Sequence, residues 1–432
     1  MQHDRAKDSV GPGPWILIVS LFFLWGMANN LNDVLIAQFR SAFSLSDLQS
    51  GLVQSAFYLG YFLLAIPAAL FMRRYGYKAA VVVGLGLYGL GALLFIPAAQ
   101  LGMYWAFLGA LLVIAGGLSF LETSANPLML VMGPADTSAR RLNLAQAFNP
   151  LGSIMGVVLG RQFIFSAKTL SPDQAARLPK AQLDALHASQ VHAVQGPYLA
   201  IGLFVLLWGG LIAATRFPRS ASERTPGEAG AGSDIRSLLS HRRYLTGVMA
   251  QFFYVGAQVG VWSFLIRYAG REIGASPRDG AVYLVISLVA FMAGRFAGAA
   301  LMGRVSPARV TALFGAINVG LCLVGVFASG AVGLWALVAA SFFMSVMYPT
   351  IFALSVKDLG PLTKLGASFL VMAIIGGAVL TALMGWVSDS ASIAAAMGVP
   401  AFAFAVVTLF AVTAGGAENL AAEPVSPTAP AH

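Results

Sequence analysis

Residues 102–131 read GMYWAFLGALLVIAGGLSFLETSANPLMLV, a run with one ionisable side chain, Glu122, and no basic residue. A stretch of about 20 apolar residues is enough to cross the hydrocarbon core of a bilayer. In lipid a helix pairs its own backbone groups, which a lone strand cannot do, so this run predicts a transmembrane helix. The rest of the chain has the same character. Of 432 residues, 58% are hydrophobic and 10% are charged, with mean hydropathy +0.79, whereas a soluble domain needs roughly a quarter of its residues charged to stay hydrated. Working outward through apolar runs and their breakers predicts twelve helices, over 15–39, 48–72, 79–99, 102–131, 143–166, 197–216, 244–270, 278–302, 308–329, 332–356, 362–388 and 392–414. The fold class is all-α integral membrane.

The longest polar interior segment, Phe217 to Arg243, contains SASERTPGEAGAGSD and reads as a flexible linker. It separates an N-terminal six-helix half, 15–216, from a C-terminal one, 244–414, with residues 1–14 and 415–432 as polar ends. A second polar segment, Ser166 to Gly196, lies between the fifth and sixth spans. Met1 to Pro14 has mixed charge and Trp15 to Phe39 is too long for the apolar core of a cleavable signal, so the latter reads as the first membrane helix. Of 26 Lys and Arg, 17 fall in the N-terminal segment and the even-numbered loops and 7 in the odd loops. The positive-inside rule then puts both termini in the cytoplasm and the chain in a bacterial-type cytoplasmic (inner) membrane. These basic residues flank apolar spans, so the net charge of +9 is a mark of topology, and no nucleic acid partner is implied. The single cysteine, Cys322, excludes an intramolecular disulfide. All five histidines lie outside the predicted spans, and no phosphate loop, nucleophile elbow or metal-ligand cluster is present. The reading is therefore a non-enzyme without metal or cofactor, and an ATP-driven pump is disfavoured.

Charge at membrane depth is costly and marks function by default. Of 17 acids, only Asp33 and Glu122 lie well inside spans. Asp33 sits in WGMANNLNDVL, where Trp25, Asn29, Asn32 and Asp33 share about 100° of helix face. Such a face can hydrate and bind hydroxyls; the competing reading is an Asp that locks helix packing through its Asn neighbours. Ser119, Glu122 and Asn126 are spaced to point one way, and Pro127 breaks the backbone pairing just after them. Low dielectric disfavours the carboxylate anion, so a carboxyl here can bind and release a proton as its access to water changes. The competing reading is a permanently protonated structural Glu, or one paired with Arg161 or Arg295.

In the fifth span Gln146, Asn149 and Ser153 share a face, and Gly152, Gly156 and Gly160 form a close-packing stripe on another. Gln251, Tyr254, Gln258 and Trp262 line one side of the seventh span, and Ser341, Ser345, Tyr348 and Phe352 one side of the tenth. Amides supply both donors and acceptors, and rings beside them suit a sugar, with its apolar C–H face and polar rim. Arg295 is the one cation deep in the second half, read equally as a paired or snorkelling structural residue.

The loop MRRYGYK after the second span is echoed by MGRVSPAR after the eighth, a weak repeat of six helices plus six. Two such halves describe the major facilitator architecture, whose substrate site lies near the midplane between them. The loop keeps Arg74, Gly76 and Lys78 of that superfamily's signature, with Arg73 where an acid is usual. At FFLWGMANNLND, GLVQSAFYLGYF, LETSANP, RLNLAQAFN, AQFFYVGAQVGVWSFLIRY, MYPTIFALS and SFLVMAIIGGAVLTALMGWVSD the sequence resembles the fucose:proton symporter family within that superfamily. The resemblance runs from about Phe22 to the end of the eleventh span. It implies that Asp33 and Glu122 match two essential membrane carboxyls, one the proton carrier, and that Asn30, Gln146 and Asn149 match polar groups near the sugar site. Pro150, directly after Asn149, departs from the small residue common there and bears on the bend of the fifth span.

Together these readings describe a proton-coupled monosaccharide symporter, for L-fucose or a related hexose, working as a monomer in the lipid bilayer. Proton coupling is assigned to Asp33 and Glu122, and sugar contact to Asn29, Asn30, Asn32, Asn126, Gln146, Asn149, Gln251, Tyr254, Gln258, Trp262 and Tyr348. The alternatives are a sodium-coupled or uncoupled sugar carrier, an efflux antiporter, disfavoured by the Asn and Gln content, and a transporter-like sugar sensor.

Overall fold

The computed structural model describes residues 12–43, 47–159, 179–217, 231–275, 277–328, 330–357 and 359–422. Their regular structure is helical throughout. Ten stretches are long and apolar enough to cross a membrane: Ala56–Tyr75, Tyr77–Leu101, Tyr104–Val131, Gln195–Ala214, Arg242–Ile273, Asp279–Leu301, Pro307–Phe327, Ala331–Val356, Gly360–Ser390 and Ile393–Gly415. The other two predicted spans are helical as well. The first is α1 (Pro12–Ala42), with its apolar part at Gly13–Ala28, and the fifth is the pair α6 (Ser138–Gln146) and α7 (Asn149–Leu159).

In the first half, α2 (Asp47–Tyr75), α3 (Tyr77–Leu93), α4 (Phe95–Leu101) and α5 (Tyr104–Val131) precede α6. After α7 come α8 (Lys180–His192) and α9 (Gln195–Ala214). A short helix, α10 (Ala231–Ser240), ends the stretch predicted as a linker. The second half holds α11 (Arg242–Ile273), α12 (Pro277–Leu301), α13 (Pro307–Phe327), α14 (Ala331–Met344) and α15 (Met347–Val356). It continues with α16 (Thr363–Met372), α17 (Gly376–Ser390), α18 (Ile393–Ala396) and α19 (Gly398–Ala422).

The breaks within spans have local causes. Proline has no N–H and disfavours helical backbone in the residue before it. Pro150 follows the break between α6 and α7, and Pro349 the break between α14 and α15. Pro127 behaves otherwise. It removes one backbone pairing, having no N–H, yet α5 runs on through it to Val131, the end of the predicted span. One helical turn remains beyond Pro127, and neighbouring groups in a membrane bundle re-satisfy what a proline frees. Arg141 closes the end of α5, its guanidinium donating to Leu130 O (2.6 Å), Met129 O (3.1 Å) and Pro134 O (2.9 Å). Carbonyls at a helix C-terminus have no partner within the helix, and a cation is favoured there.

The two repeat loops make their turns by different chemistry. Gly76 turns the chain at φ +86°, a backbone region that side chains avoid. In the counterpart loop Ser306 caps α13, accepting from Arg309 N at 3.4 Å, with Pro307 at the first helical position.

By packing, the chain forms two compact units, one running to Ser240 with Val356–Ile375 added, the other holding His241–Ser355 and everything from Gly376 onward. The added segment follows α15 in the chain, yet its helix α16 lies on α2 and α5. There the Lys364 ammonium, 6% exposed, sits 5.0 Å from the centre of the Tyr77 ring. Within the first unit α1 and α7 touch backbone to backbone. A Cβ at Gly156 would stand 2.6 Å from Met27 O, and one at Gly152 would overlap Phe23 O. In lipid, where the hydrophobic effect does not drive helices together, such contacts supply the van der Waals attraction. Two residues of the expected stripe thus do what the spacing predicts, while Gly160 lies outside the described residues.

Candidate functional site

The first unit encloses its polar groups around α5. Every residue from Ala115 to Met129 is buried, so the polar run Ser119, Glu122, Thr123, Ser124 and Asn126 lies wholly inside protein. Two of its hydroxyls serve packing, Ser119 donating to Tyr61 O (3.0 Å) on α2 and Ser124 to Phe120 O (2.6 Å) one turn back. Glu122 is 1% exposed and lies within electrostatic range of Tyr61. The Tyr61 hydroxyl and the Trp25 indole N–H face each other, but neither completes a hydrogen bond of good geometry with a described residue.

Asn126 and Gln146, assigned separately from the sequence, meet: Gln146 Nε2 donates to Asn126 Oδ1 at 2.9 Å, both side chains buried. The expected common face of Gln146, Asn149 and Ser153 does not form. Asn149 Nδ2 donates instead to Phe22 O (3.2 Å) and Ser153 Oγ to Gly26 O (3.4 Å), both on α1. The break between α6 and α7 turns Gln146 toward α5 and its two successors toward α1. Asp33, Asn29, Asn30 and Asn32 belong to α1, but their side chains lie outside the described residues.

In the second unit α11 presents Gln251, Tyr254, Gln258 and Trp262. Gln251 is fully buried, and neither its amide nitrogen nor its oxygen has a hydrogen-bond partner among the described residues. Tyr254 packs 6.3 Å from Tyr348 between ring centres, its hydroxyl turned toward the Tyr348 backbone without completing a hydrogen bond. Trp262 donates from Nε1 to Ser341 Oγ at 3.1 Å and meets Phe291 edge-on at 4.9 Å. Gln258 is half-buried one turn from both Tyr254 and Trp262. Arg295 does not snorkel. It is 4% exposed, with its guanidinium 4.7 Å from the Phe291 ring centre and in range of Tyr254 and Tyr348. Tyr61 and Phe291 were missed from sequence because a single ring in an apolar helix looks the same whether it packs or binds.

Residues 17–368 match the family model of the Major Facilitator Superfamily. The chain belongs to this superfamily. Across 403 residues it is 48% identical to the L-fucose-proton symporter of Escherichia coli (strain K12), covering 92% of each chain. It is 35% identical to the glucose/galactose transporter of Brucella abortus biovar 1 (strain 9-941), covering 90% of this chain and 91% of the relative. A crystal structure of the E. coli fucose:proton symporter, FucP, superposes with a TM-score of 0.87 at 46% identity, over 93% of this chain and 98% of that one. The resemblance drawn from ANNLND and LETSANP therefore holds across nearly the whole chain, and the fold is that of a major facilitator with twelve transmembrane helices in two six-helix halves.

Proposed function

We propose that the chain is a proton-coupled monosaccharide symporter that imports L-fucose or a related hexose by alternating access across a bacterial-type inner membrane. Glu122 carries the reading. A carboxyl buried in a membrane helix favours the neutral acid, and it gives up its proton when water reaches it. Its place in LETSANP, in a chain 48% identical to a named L-fucose-proton symporter, supports the proton as coupling ion and requires no cofactor.

In this reading Asp33 and Glu122 take up and release the coupled proton. Sugar hydroxyls exchange water for the amides of Asn29, Asn30, Asn32, Asn126, Gln146, Asn149, Gln251 and Gln258, with Tyr254, Trp262 and Tyr348 against the apolar sugar face. The buried Gln251 amide fits this role, because it can donate and accept at once and a polar group left unmatched in the interior is costly. The chain acts as a monomer with both termini in the cytoplasm, and residues 217–243 link the two halves. Glucose and galactose are the second substrate reading, favoured by the 35% identity to the Brucella transporter.

The test uses purified protein in proteoliposomes, an imposed proton or sodium gradient, and labelled L-fucose, glucose, galactose and N-acetylglucosamine. L-Fucose should accumulate under the proton gradient, and adding it to a weakly buffered suspension should alkalinise the medium. Glu122→Gln should lose accumulation while keeping sugar exchange. Accumulation under sodium alone, or unimpaired accumulation by Glu122→Gln, overturns the reading.

A further inference from the structure

Within the first unit a small cavity lies among α1, α2, α3, α5 and α9, and no described side chain assigned to sugar lines it. It is lined by Tyr88 on α3 and Tyr198 on α9, with Ala28, Phe57, Leu111 and Ile114. It has room for about one water molecule. The lining is apolar except for the two tyrosines. Tyr88 is 1% exposed, and its hydroxyl has no hydrogen-bond partner among the described residues. A buried hydroxyl in that state normally has water for a partner, and a water held in place needs at least two polar contacts, for which Tyr198 is the second polar residue of the lining.

The helix that carries Glu122 packs on the cavity's Tyr88. The α3 backbone at Tyr88 packs directly on Gly117 of α5, where a Cβ would stand 2.5 Å from Tyr88 N, little more than one helical turn before Glu122. Tyr61, whose hydroxyl also has no described partner, packs 5.3 Å from the cavity-lining Phe57 between ring centres, and its carbonyl accepts from Ser119 Oγ (3.0 Å), one turn before Glu122 on α5. Tyr198 is in range of Tyr88 on the other side. Tyr198 begins α9 and Leu111 and Ile114 lie in the first turns of α5, so the cavity lies toward the end of the unit that carries the loop at Gly102. The excess of Lys and Arg in the opposite loops makes this the outer end.

We propose that Tyr198, the cavity water, Tyr88 and Tyr61 form a proton route from the outer end of the first unit to Glu122. This rests on Glu122 being the proton carrier. One proton moves per transfer. A proton from the outer side goes to the Tyr198 oxygen as the Tyr198 hydroxyl proton passes to the cavity water. That water gives one of its protons to the Tyr88 oxygen as the Tyr88 hydroxyl proton moves to the Tyr61 oxygen, directly or through a second water. Tyr61 hands its proton to the Glu122 carboxylate, which becomes the neutral acid, and rotation about each C–O bond restores the starting arrangement. No group is oxidised, reduced or left charged. The Trp25 N–H, a donor without an acceptor, faces the Tyr61 oxygen and leaves the Tyr61 proton free to point away from it.

Tyr88→Phe tests the route, since it keeps the ring and removes the oxygen. Net uptake needs a proton each cycle, whereas exchange of labelled for unlabelled sugar needs none released. In proteoliposomes, Tyr88→Phe should slow proton-driven uptake roughly tenfold or more, in line with loss of a positioned proton-transfer group. Exchange and thermal stability should stay at wild-type level. Wild-type net uptake, or an equal loss of uptake and exchange, overturns the proposal. Tyr198→Phe repeats the measurement at the outer end should Tyr88→Phe fold poorly. Glu122→Gln is run alongside: if it still accumulates sugar, the proton-carrier reading fails whatever the tyrosine variants do.

Discussion

Gln146 and Asn149 were alike in the sequence, two amides three residues apart in RLNLAQAFN, and they differ in the fold. Gln146 is joined to Asn126 within the buried polar run of the first unit, while Asn149 uses its amide nitrogen on the backbone of α1. Truncating Gln146 to Ala removes the proposed sugar partner and also the buried hydrogen bond that joins α6 to Asn126 of α5. Its sugar affinity should fall about five- to a hundredfold, the equivalent of about 1–3 kcal/mol for an unmatched buried group, and its melting temperature should fall as well because Asn126 Oδ1 loses its donor. Asn149→Ala should lose affinity and stability together, because Phe22 O also loses its donor, at a cost of about 0.5–1.5 kcal/mol. Binding isotherms and thermal melts in detergent measure the two losses in each variant. Unchanged stability in Asn149→Ala would mean that its bond to α1 contributes nothing.

Among the elements, the pair α1 and α7 depends on glycine more than any hydrophobic pattern reveals. A Cβ at Gly152 collides with Phe23 O, a backbone atom that cannot rotate aside. Gly152→Ala must therefore push α7 off α1 and break the bonds from Asn149 and Ser153. Overpacking of this kind costs about 1–3 kcal/mol, and the variant should melt well below wild type. Gly86→Ala is the matched control. Nothing lies within 4 Å of its added Cβ, and a helix gains up to about 1 kcal/mol from Gly to Ala, so its melting temperature should hold or rise. Equal melting of the two variants would remove the close contact from the account. The small-residue stripe was legible in the sequence, but the partner helix was not, since four-residue spacing says which face is smooth and nothing about what lies on it.

For the whole molecule, the distribution of Lys and Arg predicts orientation, and the protein's only cysteine makes this testable. Cys322 is fully buried, so a new thiol can be read against a silent background. Met103, 52% exposed, stands at the loop before α5, and Tyr75, 43% exposed, at the opposite end of α2. A membrane-impermeant thiol reagent should label Met103→Cys in intact cells and Tyr75→Cys only after permeabilisation. The reverse pattern would invert the assigned topology. The all-helical membrane fold and Glu122 as a buried acid were already legible in the sequence, because lipid imposes one rule on every residue: a helix of sufficient length with no unmatched charge. ANNLND and LETSANP also carried the family, since polarity at membrane depth persists only where function needs it. The tertiary structure alone decided which polar groups meet. It joined Asn126 to Gln146, turned Asn149 and Ser153 toward α1, tied Ser119 of α5 to the Tyr61 carbonyl on α2, and laid α16 on α2 and α5 although the chain reaches it from the second half. Each of these depends on a helix break or a crossing, and on contacts between residues far apart in the chain. Periodicity along a single helix holds no record of them.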